Sequence, residues 1–140
     1  MRNMFKIHFG LPVSIVLLVG LFAVSGVVLA KAGKLTSFAG VWSGGGTVGF
    51  TGSRQRIDCR VKNTNKAGNE FYSTFSCAMK AFGKGRLTIL MEKVGKKRYV
   101  GSFYDSYNQV NVKVSVLQNG RRQKVDLRSR KWRGVLHLRK

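Results

Sequence analysis

The 140-residue chain sets 26 Lys and Arg against five Asp and Glu, a formal net charge of +21 at pH 7, and it has 17 glycines, one proline, two cysteines and two histidines. A chain this short makes one domain, which excludes a multidomain architecture. So few acids and histidines leave little from which a metal site or a catalytic carboxylate pair can be built.

In chain order, the first segment is apolar. Leu11 to Ala30 contains no charged residue, follows Arg2 and Lys6, and ends in Val28-Leu29-Ala30 before Lys31. A basic start, an apolar run and a small residue at its end form the layout of a secretory signal peptide. Cleavage fits after Ala30, with Ala32 as a near alternative. The rival reading is a retained hydrophobic helix, because 20 residues at the helical rise span about 30 Å, the thickness of a hydrocarbon core. Gly20, Ser25 and Gly26 favour processing. Either way, residues 31–140 are expected outside the cytoplasm, periplasmic or secreted, with membrane contact through the anchor if it is retained. The expected organisation is a signal peptide or anchor over 1–30, a short flexible segment over 31–37 and one folded domain over 38–140. Removing Arg2 and Lys6 leaves 24 Lys and Arg against five acids, a net charge of +19. Self-repulsion of that size implies a polyanionic partner or surface.

The remainder reads as strands. Phe38 to Phe50 carries Val41, Trp42 and Val48 and is interrupted by Gly44-Gly45-Gly46, which marks a bulge, a bend or a close backbone approach. Ile57-Asp58-Cys59-Arg60-Val61 and Phe71 to Cys77 flank the turn-rich stretch Asn63 to Asn69. With Gly68 at the centre of this hairpin, Cys59 falls opposite Cys77 and Val61 opposite Phe75. The two sulfurs are then within disulfide reach, and closing a loop of this size stabilises by about 3 kcal/mol. The register also assigns faces. Ile57, Cys59, Val61, Phe75, Cys77 and Met79 point inward, while Arg54, Arg56, Arg60 and Lys62 point outward.

Further on, Gly85 to Val94 places Leu87, Ile89 and Met91 on one face, and Arg98 to Asp105 places Tyr99 and Phe103, with Gly101 at a bend. Asn108 to Gln118 alternates Val110, Val112, Val114 and Val116 with polar residues. Asn119-Gly120 is a two-residue hairpin signal whose central positions both need positive φ. The returning strand turns Val125 and Leu127 inward. The last, Lys131 to Arg139, turns Trp132, Leu136 and Leu138 inward. No helical period follows the N-terminal segment. About eight short strands joined by hairpins predict an all-β fold, a single small antiparallel up-and-down barrel, which removes sheet edges.

Gly40-Val41-Trp42 resembles the Gly-x-Trp signature of lipocalin-like and avidin-like (calycin-type) barrels. That resemblance implies a basic residue from the last strand packed over the tryptophan, with Arg133 or Arg139 as candidates. Trp42-Ser43-Gly44-Gly45-Gly46, Gln55 to Arg60 and Phe75-Ser76-Cys77-Ala78 are similar, in that order, to small exported alphaproteobacterial proteins with a two-cysteine barrel. This second resemblance covers about a third of the chain and implies fold and export rather than an activity. One-disulfide barrels that inhibit bacterial metalloproteases also carry a mobile N-terminal segment, a part that Lys31 to Ser37 would play, although no motif matches there.

Chemistry is sparse. His137 is a strand residue on the outward face, the acids are scattered, and no nucleophile elbow or phosphate-binding loop occurs. The reading is non-enzymatic, with no cofactor and no metal. Lys97 to Tyr104 has a superficial likeness to an RNA-binding strand, but its glycine is misplaced and the helices of that fold are missing, which argues against specific nucleic-acid binding. Three binding roles remain. One is docking on an anionic lipid, polysaccharide or host surface through Arg54, Arg56, Arg60 and Lys62 and through Arg121, Arg122, Lys124, Arg128, Arg130, Lys131 and Arg133. Another is a carrier whose lumen is lined by Trp42, Phe75, Met91, Phe103 and Trp132, unless these side chains fill a solid core, as a domain this small would favour. The third is an effector or inhibitor of an acidic protein.

Overall fold

The computed structural model of the chain describes residues 37–50 and 52–140. The apolar N-terminal segment, with its expected helix and export role, lies outside the described residues.

Eight strands follow one another: β1 (Gly40–Phe50), β2 (Ser53–Ala67), β3 (Glu70–Met79), β4 (Gly83–Lys93), β5 (Arg98–Asp105), β6 (Val110–Asn119), β7 (Arg122–Arg128) and β8 (Trp132–Arg139). Each pairs antiparallel with its chain neighbours, and β1 also pairs with β8, which closes the barrel. Alternation decides what faces inward. In β6 the four valines at 110, 112, 114 and 116 are buried, while Asn111 and Lys113 are exposed.

The glycines of β1 resolve the choice left open by the sequence. Pairing is continuous on both edges of the strand, so there is no bulge. A Cβ on Gly44 would overlap the His137 carbonyl, and one on Gly46 the Val135 carbonyl. Only glycine lets β1 approach β8 this closely, and that approach is what seals the sheet.

The cysteine hairpin has the expected register. Cys59 pairs with Cys77, Val61 with Phe75 and Ile57 with Met79, and Cys59–Cys77 is a disulfide with 4.1 Å between Cα atoms. The stretch Asn63 to Ala67, expected as turn, is instead strand, and Asn63 is buried. The loop shrinks to Gly68-Asn69, with a register shift between Asn65 and Ala67. The second hairpin also moves by one residue. Asn119 pairs with Arg122, so the loop is Gly120-Arg121, and only Gly120 there needs positive φ, at 59°.

One end of the barrel is plugged. Phe38, 3% exposed, stacks on Tyr99 at 3.7 Å between ring centroids and meets Phe71 edge-on at 5.0 Å. Its carbonyl accepts bonds from Trp42 Nε1 at 2.9 Å and Asn63 Nδ2 at 3.1 Å. Trp42 and Met91 lie beneath, with no solvent exposure. Phe38 is therefore part of the folded barrel. Because the cystine ties two adjacent strands of this wall, Cys59→Ser with Cys77→Ser is expected to lower unfolding free energy by about 3 kcal/mol. Denaturant titration of the oxidised parent and the double variant checks this; coincident midpoints would show that the cross-link contributes nothing.

Candidate functional site

The other end is hollow. A cavity of about 490 Å³ occupies the half of the lumen away from Trp42, within the range of small-molecule sites. Its wall is apolar: Val48, Ile57, Phe75, Leu87, Ile89, Phe103, Val114, Leu127 and Leu136, with Cys77 and Met79 beside the hairpin. It opens among the loops at the strand ends, where Phe50, Phe82, Tyr107 and Trp132 form the rim. Phe82 is 58% and Tyr107 is 87% exposed. Phe50 and Trp132 lie 6.2 Å apart between centroids, and Phe103 and Trp132 6.4 Å.

One carboxylate organises this rim. Asp105 Oδ1 accepts bonds from the backbone amides of Tyr107 at 3.1 Å and Asn108 at 3.2 Å. Its Oδ2 accepts from Asn108 Nδ2 at 2.7 Å and Trp132 Nε1 at 3.0 Å. Lys131 Nζ reaches over to donate to the Asn108 carbonyl at 2.7 Å, so the β5–β6 and β7–β8 loops are tied together. Partial burial pushes the Asp105 pKa up, but the bonds from Asn108, Trp132 and Tyr107 outweigh it and hold the group below its ordinary value of 3.8.

The lumen-lining set named from sequence divides in two. Phe75, Phe103 and Trp132 line the cavity. Trp42 and Met91 belong to the filled end. A solid core and a hollow lumen thus coexist, one at each end of the barrel. Phe50 and Asp105, the last residues of β1 and β5, and Phe82 and Tyr107, in the loops, went unread in the sequence, since alternation carries no signal where strands end. The expected cation over Trp42 is neither Arg133 nor Arg139. It is Lys140, whose Nζ lies 5.3 Å from the ring centroid and donates to the Ser37 carbonyl at 2.9 Å. Lys140 is in phase with inward-facing Leu136 and Leu138, whereas Arg133 and Arg139 are out of phase and exposed.

Outside, the two basic groups read from the sequence become one face. Arg54, Arg56, Arg60 and Lys62 on β2, and Arg122, Lys124, Arg128 and Arg133 on β7 and β8, are all exposed. Between them lies β1, whose outward residues are short. Gly49 has Arg54 on one side and Arg133 on the other, and Ser43 has Arg60 and Arg139. Arg128 pairs directly with Arg133, and Arg122 with Arg139. Like charges so placed destabilise the sheet by about 0.2–1 kcal/mol per pair. Arg56–Asp58 and Lys124–Asp126, each at 3.8 Å, neutralise part of the face. Arg54, Arg60, Arg128 and Arg133 have no carboxylate partner among the described residues. Arg130 and Lys131 extend the face as part of a groove above Gly49. Arg121 differs from the rest, because its guanidinium donates to the Lys140 carbonyl at 2.9 and 3.1 Å.

No protein-family model matches the chain, and neither does any curated protein. Two designed proteins are similar in structure. A redesigned β-barrel, mFAP1, solved bound to DFHBI, superposes with a TM-score of 0.59 at 8% identity, over 73% of this chain and 94% of that one. A fluorescence-activating β-barrel designed de novo superposes with a TM-score of 0.56 at 11% identity, over 74% of this chain and 93% of that one. At these identities the likeness is one of fold.

The lowered Asp105 pKa has a consequence for acid stability. Its contribution is complete above the unfolded value near 3.8 and is lost as pH falls from there through the lower folded value. Asp105→Asn is expected to flatten that acid limb in denaturation measured from pH 5 downward; an unchanged limb would show that the rim carboxylate is not a stabilising group.

Proposed function

We propose that the protein is an exported, non-enzymatic binding barrel that holds a small apolar molecule in the open half of its lumen. The observation that carries this reading is the 490 Å³ cavity with an almost wholly apolar wall. With one end plugged, the cavity opens at the other end of the barrel, where a ligand can enter. The Gly-x-Trp start of β1, with Lys140 over Trp42, supports the lipocalin-like reading. The fold shared with a designed barrel whose structure holds DFHBI supports the same idea by analogy. Export is supported by the cystine, since disulfides persist in oxidising compartments, and by the signal-like segment before residue 31.

The expected test uses a neutral apolar dye such as N-phenyl-1-naphthylamine. The mature domain should bind it with a shift in tryptophan emission, because Trp132 stands on the rim. Phe103→Arg, which puts a cation into the wall, should weaken binding by tenfold or more, about 1.4 kcal/mol. Absence of dye binding by the parent would overturn the lumen reading.

A second role is favoured by the basic face, which would dock the barrel on an anionic envelope surface. Directly opposed arginines are relieved by a bound polyanion, and such contacts are screened by salt. Retention on heparin or on vesicles containing phosphatidylglycerol is expected at low salt. Arg128→Gln with Arg133→Gln should elute at distinctly lower salt than the parent. Identical elution would remove this face from the interaction.

A further inference from the structure

The β1–β2, β3–β4, β5–β6 and β7–β8 connections lie at the open end, and their exposed residues are of two kinds. The first kind is aromatic. Phe82, in the β3–β4 turn, and Tyr107, in the β5–β6 loop, both border the cavity mouth and are largely exposed. Their backbones are held in place. The Phe82 amide donates to the Met79 carbonyl at 3.3 Å, and the Tyr107 amide to Asp105 Oδ1 at 3.1 Å. Between these two connections the wall is loosest, because β4 pairs with β5 only from Met91–Gly101 to Lys93–Tyr99, near the plugged end. Single exposed aromatics are ordinary, but two beside an apolar opening make a patch of the kind that marks an interaction surface.

The second kind is cationic. Lys80 in the β3–β4 turn and Arg130 in the β7–β8 loop are exposed. The last outward row of the basic face, Arg54, Arg133 and Arg128 around Gly49, lies beside the mouth. None of these cations has a carboxylate partner among the described residues. Of the acids, only Asp105 borders the mouth, and both its oxygens are taken up by hydrogen bonds. Glu70 and Glu92 are neighbours near the plugged end. Unpaired cations next to exposed aromatics match a bilayer interface, where phosphates take the cations and aromatic rings sit at headgroup level. A soluble polyanion would satisfy the arginines and leave Phe82 and Tyr107 in water. We infer that the barrel docks by its open end on an anionic phospholipid bilayer, with Phe82 and Tyr107 entering the interface and Arg54, Arg128 and Arg133 on the phosphates. This rests on the surface-docking reading above and gives it a partner and an orientation. The cavity mouth then faces the acyl boundary, so an apolar guest passes between bilayer and lumen without crossing water.

The two tryptophans report the orientation. Trp132 pairs with Phe50 at the rim, eight residues along β1 from Trp42, so about 25 Å of strand separates the two positions. The experiment uses residues 31–140, whose sheet closes on itself around a core running from Phe38 to Leu138. They are mixed with vesicles of phosphatidylglycerol and phosphatidylcholine that carry a nitroxide on the headgroup. At low salt the parent is expected to bind and to lose a clear part of its tryptophan emission. Trp132→Phe, which leaves Trp42 as the only indole, should bind and lose little. Phe82→Ser with Tyr107→Ser should lower vesicle partitioning about tenfold and keep the parent's elution from heparin, which reads charge alone. Unchanged partitioning of that variant, or equal quenching of the parent and Trp132→Phe, would overturn the open end as the docking surface while charge-driven docking stands. Retention on heparin without vesicle binding would overturn the bilayer as partner. Failure to bind either would overturn the docking reading as well.

Discussion

Closure of the sheet by β1 is the constraint on which the other features depend. One strand must hydrogen-bond to β2 and β8 at once, and the backbone crowding this creates is tolerated only because Gly44 and Gly46 present no Cβ to the His137 and Val135 carbonyls. With that junction closed, every inward residue has a common interior to fill. The sheet is closed without being uniform: the same crowding recurs at Gly101 between β4 and β5, but there the strands separate and leave a seam. Two tight crossings of the same kind thus have opposite outcomes, one sealing the wall and the other opening it.

The interior is filled by size from one end only. Phe38, Phe71, Tyr99, Trp42 and Met91 crowd the end where the chain enters the barrel, and a buried polar layer of Asn63, Ser73, Gln118 and Gln123 lies with them. At the opposite end the inward residues are Val48, Ile57, Val114, Leu127 and Leu136, too small to meet across the lumen. Phe75 and Phe103 are the large aromatics of its wall, and Phe50, Phe82 and Trp132 stand at the rim, where they narrow the entrance. An eight-stranded barrel is near the size at which side chains alone decide between a core and a cavity, and here the decision differs along one axis.

Charge follows the same geometry. Alternation places basic residues outward on β2, β7 and β8, and the short residues of β1 let the two groups form a single surface. Fewer acids than bases means that most of these cations are balanced by solvent ions or by a partner.

Read alone, the sequence determined the strand count, the inward and outward faces and the Cys59–Cys77 pair, because period-two alternation and hairpin symmetry are local properties that survive without tertiary context. It misjudged the loops: Asn63 to Ala67 has turn composition yet pairs along β3, and the Asn119-Gly120 signal marks a turn one residue further on. The cation above Trp42 comes from Lys140, one residue past the last strand, where the inward phase continues although the pairing has ended. Only the tertiary structure decided that the lumen is half empty, that β4 and β5 part at Gly101, and that two basic stretches meet across β1. Those properties depend on how side-chain volumes sum across eight strands and on which strands become neighbours by closure, and neither quantity is written in any single stretch of residues.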